Sequence, residues 1–162
     1  MTALRLRQYV SLTGRITRLR FWISLVVETS ALFVLGAIYF VYAMSFPGAY
    51  ENGRPTPLPT GPLGQALAVL WFIALAALLW CLIRTCVRRL HDRGKSGWWL
   101  LLFTAAPNAV VSTTHQLVMR MVVPDGAVKA LLLAALALFL WGVAEMGVLP
   151  GDAGDNRYGA PP

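Results

Sequence analysis

The sequence predicts an all-α integral membrane bundle of four transmembrane helices with both termini cytoplasmic. Three observations carry that prediction. The 162 residues are 57% hydrophobic and only 13% charged, against roughly 25% charged in an average soluble domain. The apolar residues gather in blocks near the ~20 residues that a hydrocarbon core of about 30 Å requires. Lys and Arg are distributed unevenly among the connections between those blocks, and this bias orients a polytopic chain.

Met1 to Arg20 carries five arginines and no acids, which predicts a basic cytoplasmic segment at the interface, its arginines reaching phosphates. The first span is expected over residues 21–44, opening with Phe21 and Trp22 as an aromatic belt. Pro47 to Pro62 holds five prolines and reads as an external loop. The second span is expected over 63–83, and Arg84, Arg88, Arg89, Arg93 and Lys95 follow it in a basic central loop. Ser96 offers an N-cap for a third span over 98–118. There Pro107 removes a hydrogen bond to the Phe103 carbonyl, so a kink near mid-membrane is expected. Pro124 to Gly126 makes an outer turn, the fourth span covers 127–149, and residues 150–162 form a tail. The amino-terminal segment and central loop hold ten of the fourteen basic residues, which places them, and with them both termini, in the cytoplasm.

The net charge of +7 does not point to nucleic acid. The basic residues flank apolar blocks instead of forming a basic face with base-reading side chains, and such juxtamembrane clusters meet anionic headgroups. Cys81 and Cys86 have neither redox nor zinc spacing and read as reduced structural residues. Gly94-Lys95-Ser96 imitates the end of a phosphate-binding loop, but Arg89 stands where the earlier glycine belongs. His91 and Asp92 lack companions for a metal sphere, His115 being assigned to the opposite face. No cofactor is expected.

Two acids fall inside expected spans, where carboxylates are costly. Glu28 is assigned an ion pair with Arg84 or Arg88, and Glu145 one with the arginines near the inner end of the fourth span. Small-residue stripes at Ala66, Ala74 and Ala77, and at Ala130, Ala134, Ala137 and Ala144, would allow close helix approach.

Three patterns remain: Gly14-Arg15-Ile16-Thr17-Arg18 followed by Phe21-Trp22; Arg88-Arg89-Leu90-His91-Asp92 with Ser96-Gly97-Trp98-Trp99; and Gly154-Asp155-Asn156-Arg157-Tyr158-Gly159 with a closing proline. In this order they resemble the small bacterial inner-membrane proteins known as domain of unknown function 805. The chain departs from that pattern with Arg20 before the aromatic pair and Val110 after the third-span proline. The resemblance implies a bacterial inner-membrane location and four helices, and no activity.

The expected topology brings the three patterns to one face. The candidate site is a cytoplasmic polar cap of Arg15, Arg18, Arg88, Arg89, His91, Asp92, Asp155, Asn156 and Arg157. The expected function is non-enzymatic: the cap binds anionic phospholipid headgroups or a partner protein, in a chain that is a candidate homo-oligomer. The alternatives are an oligomeric channel or transporter using Glu28, and a lipid-phosphate enzyme using His91 and Asp92.

Overall fold

The structure is a computed structural model and describes residues 12–45, 50–51, 54–55, 62–120 and 124–162. The expected interfacial segment thus lies largely outside the described residues, as does most of the proline-rich loop.

Helix α1 runs from Arg18 to Ser45. Thr17 opens it: its carbonyl accepts the Phe21 N–H at 2.9 Å and its hydroxyl accepts the Arg20 N–H at 3.2 Å, so one side chain satisfies a donor that the first turn leaves orphaned. A two-residue strand, β1 (Tyr50–Glu51), pairs antiparallel with β2 (Arg54–Pro55). Helix α2 then begins at Pro62, where a missing N–H costs nothing, and continues for 31 residues to Asp92.

That length corrects the sequence reading. A 31-residue helix is about 46 Å long at 1.5 Å per residue, so the backbone does not unwind where the apolar block ends at residue 83. Arg84, Arg88, Arg89, His91 and Asp92 lie on helical turns, not in a loop. Hydropathy marks a change of solvent, whereas the helix stops where its backbone is capped. Gly94, at φ +65, supplies that stop. The Lys95 N–H reaches the Leu90 carbonyl at 2.9 Å and the Gly94 N–H reaches that of His91 at 3.1 Å, the paired bonds of a Schellman cap.

After a turn in which the Ser96 carbonyl accepts the Trp99 N–H at 3.2 Å, residues 99–119 are continuously helical. A π-helical turn at Leu101–Ala105 leads directly into α3, Ala106–Met119. The widened turn absorbs Pro107: the Ala106 N–H bonds five residues back to Leu101, and the Asn108 side-chain amide donates to the Thr104 carbonyl at 2.8 Å. These bonds serve the carbonyls on either side of the Phe103 carbonyl, which is the one the ring leaves without its α-helical donor. Helix α4 spans Asp125–Val143, with Pro124 at its N-cap and Asp125 at the positive end of its dipole. It ends in a second π-turn, Ala144–Val148.

Two compact units emerge, one of Met1–Trp22 with Arg84–Pro162 and the other of Ile23–Ile83. In the first, α3 packs on α4 along Phe103, Pro107 and Thr114, which are buried at a spacing that keeps them on one side of the helix. A Cβ on Gly142 would sit 2.6 Å from that of Phe103, so glycine is what lets the ring enter. Close approach on α4 therefore uses Ala135 and Gly142, the buried positions, whereas Ala130, Ala134 and Ala137 are exposed. In the second unit the Trp71 indole donates to the Leu35 carbonyl at 3.1 Å and packs on Tyr39 with ring centroids 4.6 Å apart. Glu28 is buried in this unit.

Among the described residues, three helical stretches are long and apolar enough to cross a membrane: Arg18–Tyr42, Pro62–Asp92 and Asp125–Val148. The α3 segment, counted third of four spans by the sequence reading, is not among them. Large apolar side chains point outward along the long helices, Phe33 being 79% and Leu63 75% exposed. Lipid is the solvent that accommodates such a surface.

Candidate functional site

The last carbonyls of any helix lack internal donors, and the π-turn that closes α4 presents several at once. Side chains from distant parts of the chain satisfy them in sequence. Arg89 Nε donates to the Met146 carbonyl at 2.8 Å, Trp22 Nε1 to Gly147 at 3.0 Å and Arg18 Nη1 to Val148 at 2.8 Å. Arg89 Nη2 reaches Leu149 at 2.6 Å and Arg93 Nη1 reaches Pro150 at 2.6 Å. Three arginines thus cap the negative end of the α4 dipole, where cations are favoured. Gly147 admits Trp22, since a Cβ there would lie 2.5 Å from the indole.

Arg89 is 1% exposed, and a guanidinium so deeply placed requires both counter-charge and full hydrogen bonding. Asp92, one helical turn onward, receives Arg89 Nη1 on Oδ2. Its Oδ1 accepts Arg15 Nε at 3.0 Å. Arg15, also buried, spends its other donors on the tail: Nη1 on the carbonyls of Gly154 at 2.7 Å and Gly159 at 3.1 Å, Nη2 on that of Asp152. The planar five-donor fork makes this possible. The Asp152 N–H returns to the Asp92 carbonyl at 2.8 Å, fastening the tail to the end of α2 by backbone as well.

The third motif folds into a small turn on this lock. Asn156 and Gly159 exchange backbone bonds, and the Asn156 amide donates to the His91 carbonyl at 3.0 Å and to Asp152 Oδ2 at 2.9 Å. The Tyr158 ring lies flat on His91, with centroids 3.7 Å apart and planes 5° from parallel. Arg157 covers the other part of that assembly, over Tyr158 at 4.8 Å and donating to the Gly94 carbonyl at 3.3 Å.

A second, shallower cluster surrounds Glu145. Arg93 approaches Oε2 at 3.2 Å, while Lys95 lies 3.5 Å and the Trp141 indole nitrogen 3.2 Å from Oε1. Lys95 also sits 4.3 Å over the Trp99 ring, a cation–π contact at the edge of the aromatic group.

Of the residues named from sequence, Arg15, Arg18, Arg89, His91, Asp92, Asn156, Arg157 and Glu145 thus enter this assembly. Of the two tail acids expected at the cap, Asp155 is exposed and Asp152 accepts the Asn156 amide. Arg84 belongs to the unit of the cap and Glu28 to the other. The Arg88 guanidinium lies beside this assembly, 3.5 Å from where a Cβ on Gly14 would sit. Its Nε is buried with no hydrogen-bond partner among the described residues, and the charges that act on it most are two further cations, Arg84 and Arg20. Trp22 caps a carbonyl and Tyr158 covers the histidine through contacts with segments more than sixty residues away, which a belt position and a motif position do not disclose.

No triad of His, Cys, Asp or Glu able to hold a metal occurs among the described residues. Asp92 has both carboxylate oxygens occupied by guanidinium groups and is 3% exposed.

Comparison with known proteins gives the assembly a context. Inner membrane protein YhaH of Escherichia coli strain K12, and the protein of the same name from Escherichia coli O157:H7, are each 29% identical over 98 residues, covering 60% of this chain and 67% of theirs. No solved structure matches. The family described as Protein of unknown function (DUF805) matches residues 9–160, a range that includes all three motifs of the cap; the chain is therefore a multi-pass protein of the bacterial inner membrane and belongs to that family.

Proposed function

We propose that this is a non-enzymatic protein of four spans whose polar cap lies in the cytoplasm and holds an anionic phospholipid headgroup beside Arg88. Parity supports the topology. Arg15 bonds both Asp92 and the Asp152 carbonyl, so residues 15, 92 and 152 share one side of the bilayer. The chain between 92 and 152 must then cross an even number of times. Because α4 is long and apolar enough to cross, the α3 segment crosses too: its π-turn and helix contain five and fourteen residues, about 28 Å at helical rise. The excess of basic residues at this end supports a cytoplasmic position.

One observation carries the ligand assignment. Arg15, Arg89 and Arg93 spend their donors on internal carboxylates and carbonyls, whereas Arg88 has an unpartnered Nε among cations. A phosphodiester supplies the missing charge and acceptors in the geometry that guanidinium groups favour, and it is the group present at that depth of a membrane. The engaged oxygens of Asp92 favour this reading over an enzyme, since the His91–Asp92 pair leaves no carboxylate to accept a substrate proton.

The test is retention of anionic against zwitterionic phospholipid by the purified full-length protein, read by native mass spectrometry over a salt series. Arg88→Gln should lower retention of the anionic lipid several-fold and flatten the salt dependence, with the cap intact by hydrogen exchange. Equal retention by the parent chain and Arg88→Gln refutes the assignment. Arg89 is unsuited to this experiment because its loss would dismantle the cap itself.

A further inference from the structure

The α3 segment fails as an obvious membrane span because of one side of its surface. Phe103, Pro107 and Thr114 face α4 and are buried, whereas Thr104, Asn108, Ser112 and His115, at steps of four, four and three residues, are exposed, as is Gln116 beside them. Such spacing draws a continuous polar stripe along the helix. Thr104 and Ser112 turn their hydroxyl protons back to the carbonyls of Leu100 at 2.6 Å and Ala109 at 3.1 Å, and one Asn108 N–H goes to Thr104 at 2.8 Å. What they leave facing outward are the two hydroxyl oxygens, the Asn108 carbonyl oxygen and its second N–H. The imidazole of His115 and the amide of Gln116 add both donors and acceptors.

We infer that this stripe is the surface through which two copies of the chain pair within the bilayer. The inference rests on the four-span reading, which puts α3 in hydrocarbon, where outward polar groups need a hydrogen-bonding counterpart and helices associate through such residues. A second copy fits for a reason of symmetry. Two chains of the same topology pair about an axis normal to the membrane, so their α3 helices run parallel and each residue near the axis meets its own counterpart. Any charged residue there would meet its like. The stripe carries no Lys, Arg, Asp or Glu, and its amides each present a donor and an acceptor, so Asn108 can bond Asn108. Ala105 and Ala109, exposed beside the stripe, let the two backbones approach.

Fluorescence energy transfer between labelled full-length copies in vesicles, followed as the lipid is diluted, measures the pairing. The parent chain should self-associate, Asn108→Leu with Ser112→Ala should weaken association at least ten-fold, and Leu133→Ala on the exposed side of α4 should leave it unchanged. A parent chain that stays monomeric at high protein density overturns the inference, as does a double variant that pairs like the parent. A Ser112→Cys chain separates this failure from failure of the four-span reading: protection from a membrane-impermeant maleimide, together with cross-linking between copies, supports both. Ready labelling from water removes α3 from the bilayer and overturns both, whereas protection without cross-linking overturns the pairing alone.

Discussion

Replacing Asp92 with asparagine isolates the charge of the lock from its shape. Asp92 and its two guanidinium partners have side chains 5% and 1% exposed, so water screens little of the interaction. The native trio carries one net positive charge; Asp92→Asn raises it to two without changing volume. Removing one partner of a buried ion pair costs about 3 to 5 kcal/mol, chiefly because the survivor is left buried and uncompensated. At about 1.4 kcal/mol per decade, that range corresponds to an increase of roughly two to three and a half powers of ten in the population of the opened cap. The readout is amide hydrogen exchange in lipid nanodiscs. The amides of Asp152, Asn156 and Gly159 are bonded inside the cap, and all three should lose protection together in the variant, while the amides of α4 before residue 143 keep theirs. Unchanged protection of the tail in Asp92→Asn would show that the carbonyl contacts alone hold it and that the carboxylate is dispensable.

Three further perturbations address the same assembly. Gly151→Ala puts a Cβ at 1.9 Å from Asp92 Oδ2; it should open the tail as thoroughly as Asp92→Asn, measured by the same exchange, and a protected tail would contradict the packing. Arg15→Lys keeps the charge but not the fork that serves Asp92 and three carbonyls; a single ammonium has three donors, so limited proteolysis of the tail should accelerate at least ten-fold. Tyr158→Ala removes a stacked pair worth about 0.5 to 1.5 kcal/mol beyond buried area. Its effect on tail exchange should therefore be about two- to twelve-fold and clearly smaller than that of Asp92→Asn.

The sequence disclosed the helices through their solvent and concealed the cap through its chemistry. Apolar blocks of membrane length marked α1, α2 and α4 within a few residues at their lipid-facing ends. They misjudged α2 at its polar end, where nine residues beyond Ile83 remain helical up to Asp92. The signal that could have found this was present: basic residues in a last turn followed by Gly94 describe a helix C-terminus. The three motifs pointed to Arg15, Arg89 and Asp92 as associates, because charged residues of opposite sign at one end of a bundle can pair. Their principal acceptors, however, are the main-chain oxygens of Met146, Leu149, Asp152, Gly154 and Gly159. A carbonyl belongs to every residue, so composition and spacing cannot nominate it. The π-turns escaped for the same reason, although Pro107 announced that something had to relieve the backbone near Phe103.

A net charge of +7 is therefore a poor measure of the field that a lipid would meet at this end of the molecule. Arg15 and Arg89 share one carboxylate but direct most of their donors at carbonyl oxygens, which neutralise hydrogen-bonding capacity without cancelling charge. The local surplus remains, held at fixed positions by the helix end it stabilises. Arg88 lies one residue before Arg89 on the same helix, so its side chain leaves the backbone about 100° away from that of Arg89, and the two are committed to different surroundings. Arg89 turns into the cap to donate to the Met146 carbonyl, and the Arg88 guanidinium lies where a Cβ on Gly14 would meet it at 3.5 Å. The same short run of basic sequence thus meets two surroundings: Arg89 fastens the tail, and Arg88 keeps a buried Nε with no hydrogen-bond partner among the described residues. Dissecting the pair residue by residue distinguishes those roles, because Arg88→Gln should change lipid retention with the tail still protected, whereas any variant of Arg89 should release the tail first.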